Sequence, residues 1–93
     1  MALQVSRYRL GDLDVSVYDF PEIGDELPTH QHATGTGHIT VVARGTVMVF
    51  GDDWSQTNKA GDVVDLAENQ NHAFRAITSG ARIVNIVKHF QPA

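Results

Sequence analysis

The chain has 93 residues, 42% of them hydrophobic, with 11 acidic and 7 basic side chains, a formal charge of −4 and no cysteine; it reads as one small domain over residues 1–93, with a thin core and no disulfide staple. There is no Lys/Arg cluster to meet a phosphate backbone or an anionic membrane surface, so nucleic acid and membrane are not expected partners. No apolar run reaches the roughly 20 residues of a membrane-spanning helix, and no basic flank leads into an apolar start, so a cytoplasmic protein is expected.

Glycines punctuate stretches rich in Val, Ile, Thr, Phe and Tyr, which is strand-and-turn composition. In chain order, residues 14–20 alternate Val15 and Val17 against Ser16 and Tyr18, and residues 27–32 form a strand candidate carrying His30 and His32. Two β-branched runs, 39–43 and 46–50, flank Arg44-Gly45 and predict a hairpin. Further strands are expected over 63–66, 72–77 and 82–90, divided by turn chemistry at 68–71 and 78–80. No segment has a convincing helical period. Several short strands in one domain argue for an all-β sandwich or barrel, its edges closed on themselves or paired in a dimer.

Of the five histidines, His30, His32 and His38 cluster and His72 follows later. On a strand, His30 and His32 share a face, so two ring nitrogens can converge on one ion. His38 opens the next apolar run after Gly35-Thr36-Gly37, and His72 opens another, so both are placed to join the site. Neutral imidazole suits Zn, Cu, Fe and Ni. For any one of these residues taken alone, the alternative is a hydrogen-bonded or exposed histidine on a sheet. His89 has no partner at ligand spacing and reads as a surface residue.

These residues resemble the cupin family. Its first motif is a glycine, five residues, His-x-His, a short spacer, a glutamate, six residues and a glycine; Gly24, His30, His32 and Gly45 match it, with His38 at the glutamate position. The spacer, residues 33–37, is one residue longer than usual. In the second motif Gly61 and His72 are in register, while Ala67, Asn69 and Ala76 replace its proline, glycine and asparagine. The resemblance implies a small cupin β-barrel (double-stranded β-helix, or jelly roll), a homodimer, and one divalent transition metal held in the barrel mouth by His30, His32, His38 and His72. Fe, Mn and Zn rank equally, and Ni and Cu are also compatible.

Four neutral imidazoles leave the ion its full charge, which favours an anionic ligand and acidifies bound water. Parity with His38 and His72 nominates Thr40, Val42, Phe74 and Ala76 as pocket wall, each equally readable as core. Tyr18 and Arg75 are polar candidates for orienting a substrate, against a solvated surface role. Phe20, Met48, Phe50 and Trp54 are candidates for closing the mouth or for a dimer surface; Asp62, Asp65 and Glu68 lie near the second motif where an acid or base could act, against the usual role of turn carboxylates, which face water. Two functions remain in play, beside a purely structural reading in which the histidines bind nothing. One is a metal-dependent enzyme, of dioxygenase, isomerase or lyase type, acting on a small organic acid or other chelating small molecule. The other is a non-enzymatic metal- or ligand-binding module serving as a sensor or accessory subunit.

Overall fold

A computed structural model of the chain describes residues 3–30, 36–66 and 70–89. Alternating side chains organise them into strands with no helix among them: β1 (Gln4–Leu10), β2 (Leu13–Phe20), β3 (Glu26–His30), β4 (Thr36–Arg44), β5 (Thr46–Phe50), β6 (Ser55–Lys59), β7 (Val63–Val64), β8 (His72–Ala76) and β9 (Ala81–His89). They form two antiparallel sheets, ordered β1-β2-β9-β4-β7 and β3-β8-β5-β6. The all-β expectation holds.

Period-two alternation decides which residues meet between the sheets. From the first sheet come Tyr18 and Phe20 of β2, Val42 of β4, Val64 of β7, and Ala81 and Ile83 of β9; from the second come Val47 and Val49 of β5, and Phe74 and Ala76 of β8. Across the second sheet Val47 stands opposite Ala76 and Val49 opposite Phe74, so neighbouring strands supply matched rungs. Each large side chain in this cluster contributes about 1.5–3 kcal/mol by leaving water. Phe20 is fully buried here, so it neither closes the mouth nor forms a dimer surface, and Trp54 packs against the same cluster.

The hairpin expected across Arg44-Gly45 does not form. β4 pairs with β9 and β7 whereas β5 pairs with β6 and β8, so the two runs belong to different sheets. Gly45 makes a corner instead. Its φ is +74°, and a Cβ there would lie 2.5 Å from the Thr78 hydroxyl oxygen and 3.0 Å from the Ala81 Cα. The corner is closed by Ala60 N–H donating to the Gly45 carbonyl at 2.9 Å and by Thr46 N–H donating to the Thr78 hydroxyl at 2.9 Å. Gly24 and Gly61, the other glycines of the motif frame, also have positive φ.

On the outer face of the first sheet, Asp19 stands opposite Arg82, and Arg82 opposite Arg44. The carboxylate accepts from Arg82 at 2.7 and 3.2 Å and from Arg44 at 3.4 Å. The Arg82 hydrogen bond leads the forces that hold the Asp19 carboxyl below its ordinary value of 3.8.

Two predictions follow from these contacts. Gly45→Ala is expected to lose about 2 kcal/mol or more in urea unfolding, because left-handed backbone is unfavourable for alanine and its methyl meets Ala81 backbone. Asp19→Asn is expected to lower Tm by about 2–4 °C at neutral pH. A lowered native pKa means that the native state binds fewer protons than the unfolded one, so the stabilisation is complete above pH 3.8 and is lost as pH falls through the native value. The Tm gap between wild type and variant should therefore close in acid.

Candidate metal and ligand site

Because Cα partners share a face, the register carries the inward row on from the core toward one end of the first sheet. Val5, Tyr18, Ile83 and Val42 make one rung across β1, β2, β9 and β4. The next is polar throughout: Arg7, Ser16, Asn85 and Thr40. Beyond it stand Arg9, Asp14, Val87 and His38. The change from apolar to polar rungs marks where the core ends and the candidate site begins.

Asn85 and Thr40 are both buried, so their polar atoms require partners. The Thr40 hydroxyl donates to Asn85 Oδ1 at 3.0 Å. His38 Nε2 lies against the same Oδ1 and 3.1 Å from the Thr40 hydroxyl. Both oxygens accept, so in this arrangement Nε2 carries the proton and the Nδ1 of a neutral His38 carries the lone pair. An Asn85 amide turned by 180° would present its NH2 to His38 and exchange those roles.

His72 comes from the opposite sheet and is fully buried. Its Nδ1 donates to the Gln70 carbonyl at 2.9 Å, which places the lone pair of the neutral ring on Nε2. The His38 and His72 rings stack with centroids 5.8 Å apart and planes 18° from parallel, and Phe74 meets the His72 ring edge-on at 5.9 Å. This imidazole pair bridges the two sheets.

The donor chemistry fits a transition metal at His72, where a backbone carbonyl orients the ring and leaves Nε2 as the ligating nitrogen. His38 in this tautomer offers Nδ1 to an ion, whereas coordination through Nε2 would have to displace its contacts with Asn85 and Thr40. The backbone of His30 stands opposite His72 in the β3–β8 register, next to a register shift between Leu27 and His30. The side chain of His30, the whole of His32, and Ala67, Glu68 and Asn69 lie outside the described residues. Among the described residues no three His, Asp or Glu side chains form a metal-holding group.

A cavity of about 390 Å³ opens on the same end of the first sheet, lined by Arg7, Asp14, Ser16, Tyr18, Asn85 and Val87 together with Tyr8 and Val15. Tyr18 therefore faces the cavity. Arg75 does not: it is ion-paired with Glu26 at 3.0 Å on the outer face of the second sheet, with its guanidinium 5.1 Å from the centre of the Phe50 ring. β8 points His72, Phe74 and Ala76 inward, so the residue between Phe74 and Ala76 must point out. Thr40 joins the polar rung, and Val42, Phe74 and Ala76 belong to the core cluster. Asp62 is a turn residue that accepts from Lys59 N–H at 2.9 Å, and this backbone bond is the first cause of its lowered pKa.

Asn85 is a site residue to which the histidine pattern does not point. Its signal was parity: it follows Ala81 and Ile83 on the inward-facing positions of an apolar strand, where an amide has to be satisfied.

The sequence matches no family model, and no curated protein is similar enough to it to count as a relative. Solved structures are similar to it in fold. KdgF from Halomonas sp. aligns at 18% identity over 96% of this chain and 80% of its own, with a TM-score of 0.81. An RmlC-like cupin protein from Desulfovibrio desulfuricans aligns at 22% identity over 92% and 79%, with a TM-score of 0.77. A cupin-2 domain containing protein from Shewanella frigidimarina aligns at 19% identity over 97% and 80%, with a TM-score of 0.71. The chain has the cupin fold, with its two antiparallel sheets packed as in these barrels.

The Asn85 contact makes a prediction of its own. Asn85→Ala removes the acceptor shared by Thr40 and His38, and the loss of partners by buried groups is expected to cost about 1–3 kcal/mol in chemical denaturation. Asn85→Asp keeps an acceptor and should lose less.

Proposed function

We propose that the protein is a mononuclear metal-binding cupin acting as an enzyme on a small organic acid or other chelating small molecule, by dioxygenase-, isomerase- or lyase-type chemistry. The observation that carries this reading is the His38–His72 pair: two imidazoles from opposite sheets, 5.8 Å apart, beside a polar rung. A stacked pair of imidazoles, His72 fully buried and His38 half-buried, would be an unusual way to fill the interior of so small a barrel.

In this reading His30, His32, His38 and His72 are the ligands, and the ion is Fe, Mn or Zn, with Ni and Cu also suited to imidazole. Its contribution when bound would be Lewis acidity toward an oxygen-rich ligand, with redox chemistry added where the ion is redox-active. The chain's own groups do the rest. The Gln70 carbonyl holds the His72 ring in one orientation. Asn85 and Thr40 hold His38 until it is recruited and offer a polar alternative when it is not. In this reading Thr40 would stand on the ligand side of the pocket wall, with the buried Val42, Phe74 and Ala76 as its apolar floor.

Elemental analysis of protein from Fe-, Mn- and Zn-supplemented growth, prepared with and without oxygen, tests the proposal. About one divalent ion per chain is expected, falling to background in His72→Gln of unchanged circular dichroism, with chelation lowering Tm of the wild type alone. Wild-type protein that carries no ion under any of these conditions, or activity that survives complete demetallation, would reject it.

A further inference from the structure

Arg7 differs from most of the cations around it. Arg9 is ion-paired with Asp14 at 3.0 Å, Arg44 with Asp19 at 3.4 Å, Arg75 with Glu26 at 3.0 Å, Arg82 with Asp19 at 2.7 Å, and Lys88 with Asp12 at 3.9 Å. Arg7 has no carboxylate among the described residues, yet it stands on the inward face of β1 and lines the 390 Å³ cavity. In a chain of net charge −4, a cation at a cavity wall with no counter-ion among the described residues is a candidate for recognising an anion.

Its neighbours on the rung complete the chemistry. Ser16 stands opposite Arg7, and Asn85 opposite Ser16. The Asn85 amide turns Oδ1 toward His38 and Thr40, so its NH2, on the other edge of the planar group, is the part that remains for the cavity. A guanidinium fork, a hydroxyl and an amide NH2 are thus three hydrogen-bond donors along one line. Asp14, the acid on the wall, is already engaged by Arg9. Tyr18 and Val87 supply apolar surface at either side.

A single guanidinium with neutral donors suits a planar carboxylate, which it binds with two parallel hydrogen bonds. The volume is near the small end of ligand pockets, about 300–1,000 Å³, which favours a compact molecule.

We propose that Arg7, Ser16 and Asn85 form a carboxylate-binding rung at the barrel mouth, which takes a small organic acid by its acid end and holds it beside His38. The inference rests on the proposed function for the fate of the ligand, while capture by Arg7 requires no metal.

Malonate titrated into the full chain, with and without chelator treatment and followed by calorimetry and by amide NMR shifts, tests it, with neutral malonamide as the comparison. Saturable malonate binding is expected in both preparations, with shifts at Arg7, Ser16 and Asn85 and none with malonamide. Arg7→Gln should weaken binding about tenfold or more, with Tm unchanged because Arg7 lies on an exposed strand. Arg7→Lys should recover part of the affinity, and Arg9→Gln should weaken it less than Arg7→Gln does. No saturable malonate binding, or equal binding by wild type and Arg7→Gln, overturns the carboxylate rung. Binding confined to metal-loaded protein and indifferent to Arg7 does the same while leaving the metal reading intact. Arg7-dependent binding by a chain that never acquires metal upholds the rung and removes the metal reading.

Discussion

Strand β9 lies between β2 and β4, and its register with both decides what the barrel holds inside. Ala81 and Ile83 seal the core, and two residues further along the same face stands Asn85. A slip of one residue would send Asn85 to solvent and bring Val84 into its place, leaving Thr40 buried without its acceptor. The apolar rungs fix the register, and the register in turn delivers a polar rung that would be costly to bury on its own. Stability and chemistry are set by the same strand.

The two sheets also divide the labour. The first carries the polar rung and the cavity; the second contributes His72, backed by Phe74 and oriented by the Gln70 carbonyl. Their only aromatic bridge at this end among the described residues is the stack of His38 on His72. Ring position is consequently tied to how closely the sheets approach. The corner at Gly45, where the chain passes from one sheet to the other, lies within reach of Thr78 and Ala81 and so helps to set that approach. A glycine in the sequence motif thus has a mechanical role in the barrel as well as a place in a pattern.

Much of this was legible in the residues themselves. Alternation in 14–20 and 72–77 locates β2 and β8 closely, and the same parity rule that nominates Thr40, Val42, Phe74 and Ala76 from His38 and His72 selects Asn85 when it is applied to 81–89. The strand is otherwise apolar, so in sequence Asn85 is hidden in what reads as plain core. The corner at Gly45 reads as a hairpin in the sequence because local turn chemistry does not state which sheet the next strand will join; that depends on pairing with β8 and β9, far along the chain. β1 and β6 were invisible to an apolar-pattern reading. Gln4–Leu10 is exposed on every residue, and Ser55–Lys59 contains no apolar side chain at all. Both are strands by virtue of the neighbour they pair with.

The exposure of β1 has a consequence for motion. Among the described residues it is an edge strand bonded only to β2, with solvent along its whole length, and it carries Arg7. Edges of this kind open at little free-energy cost, well below that of unfolding the whole chain. One wall of the cavity is therefore its least anchored part, and a ligand that grips Arg7 would tie that wall down, spending part of its binding energy on order. Amide protons of β1 would then report occupancy by slowed exchange, even though the interior rungs of β9 and β4 stay as they were.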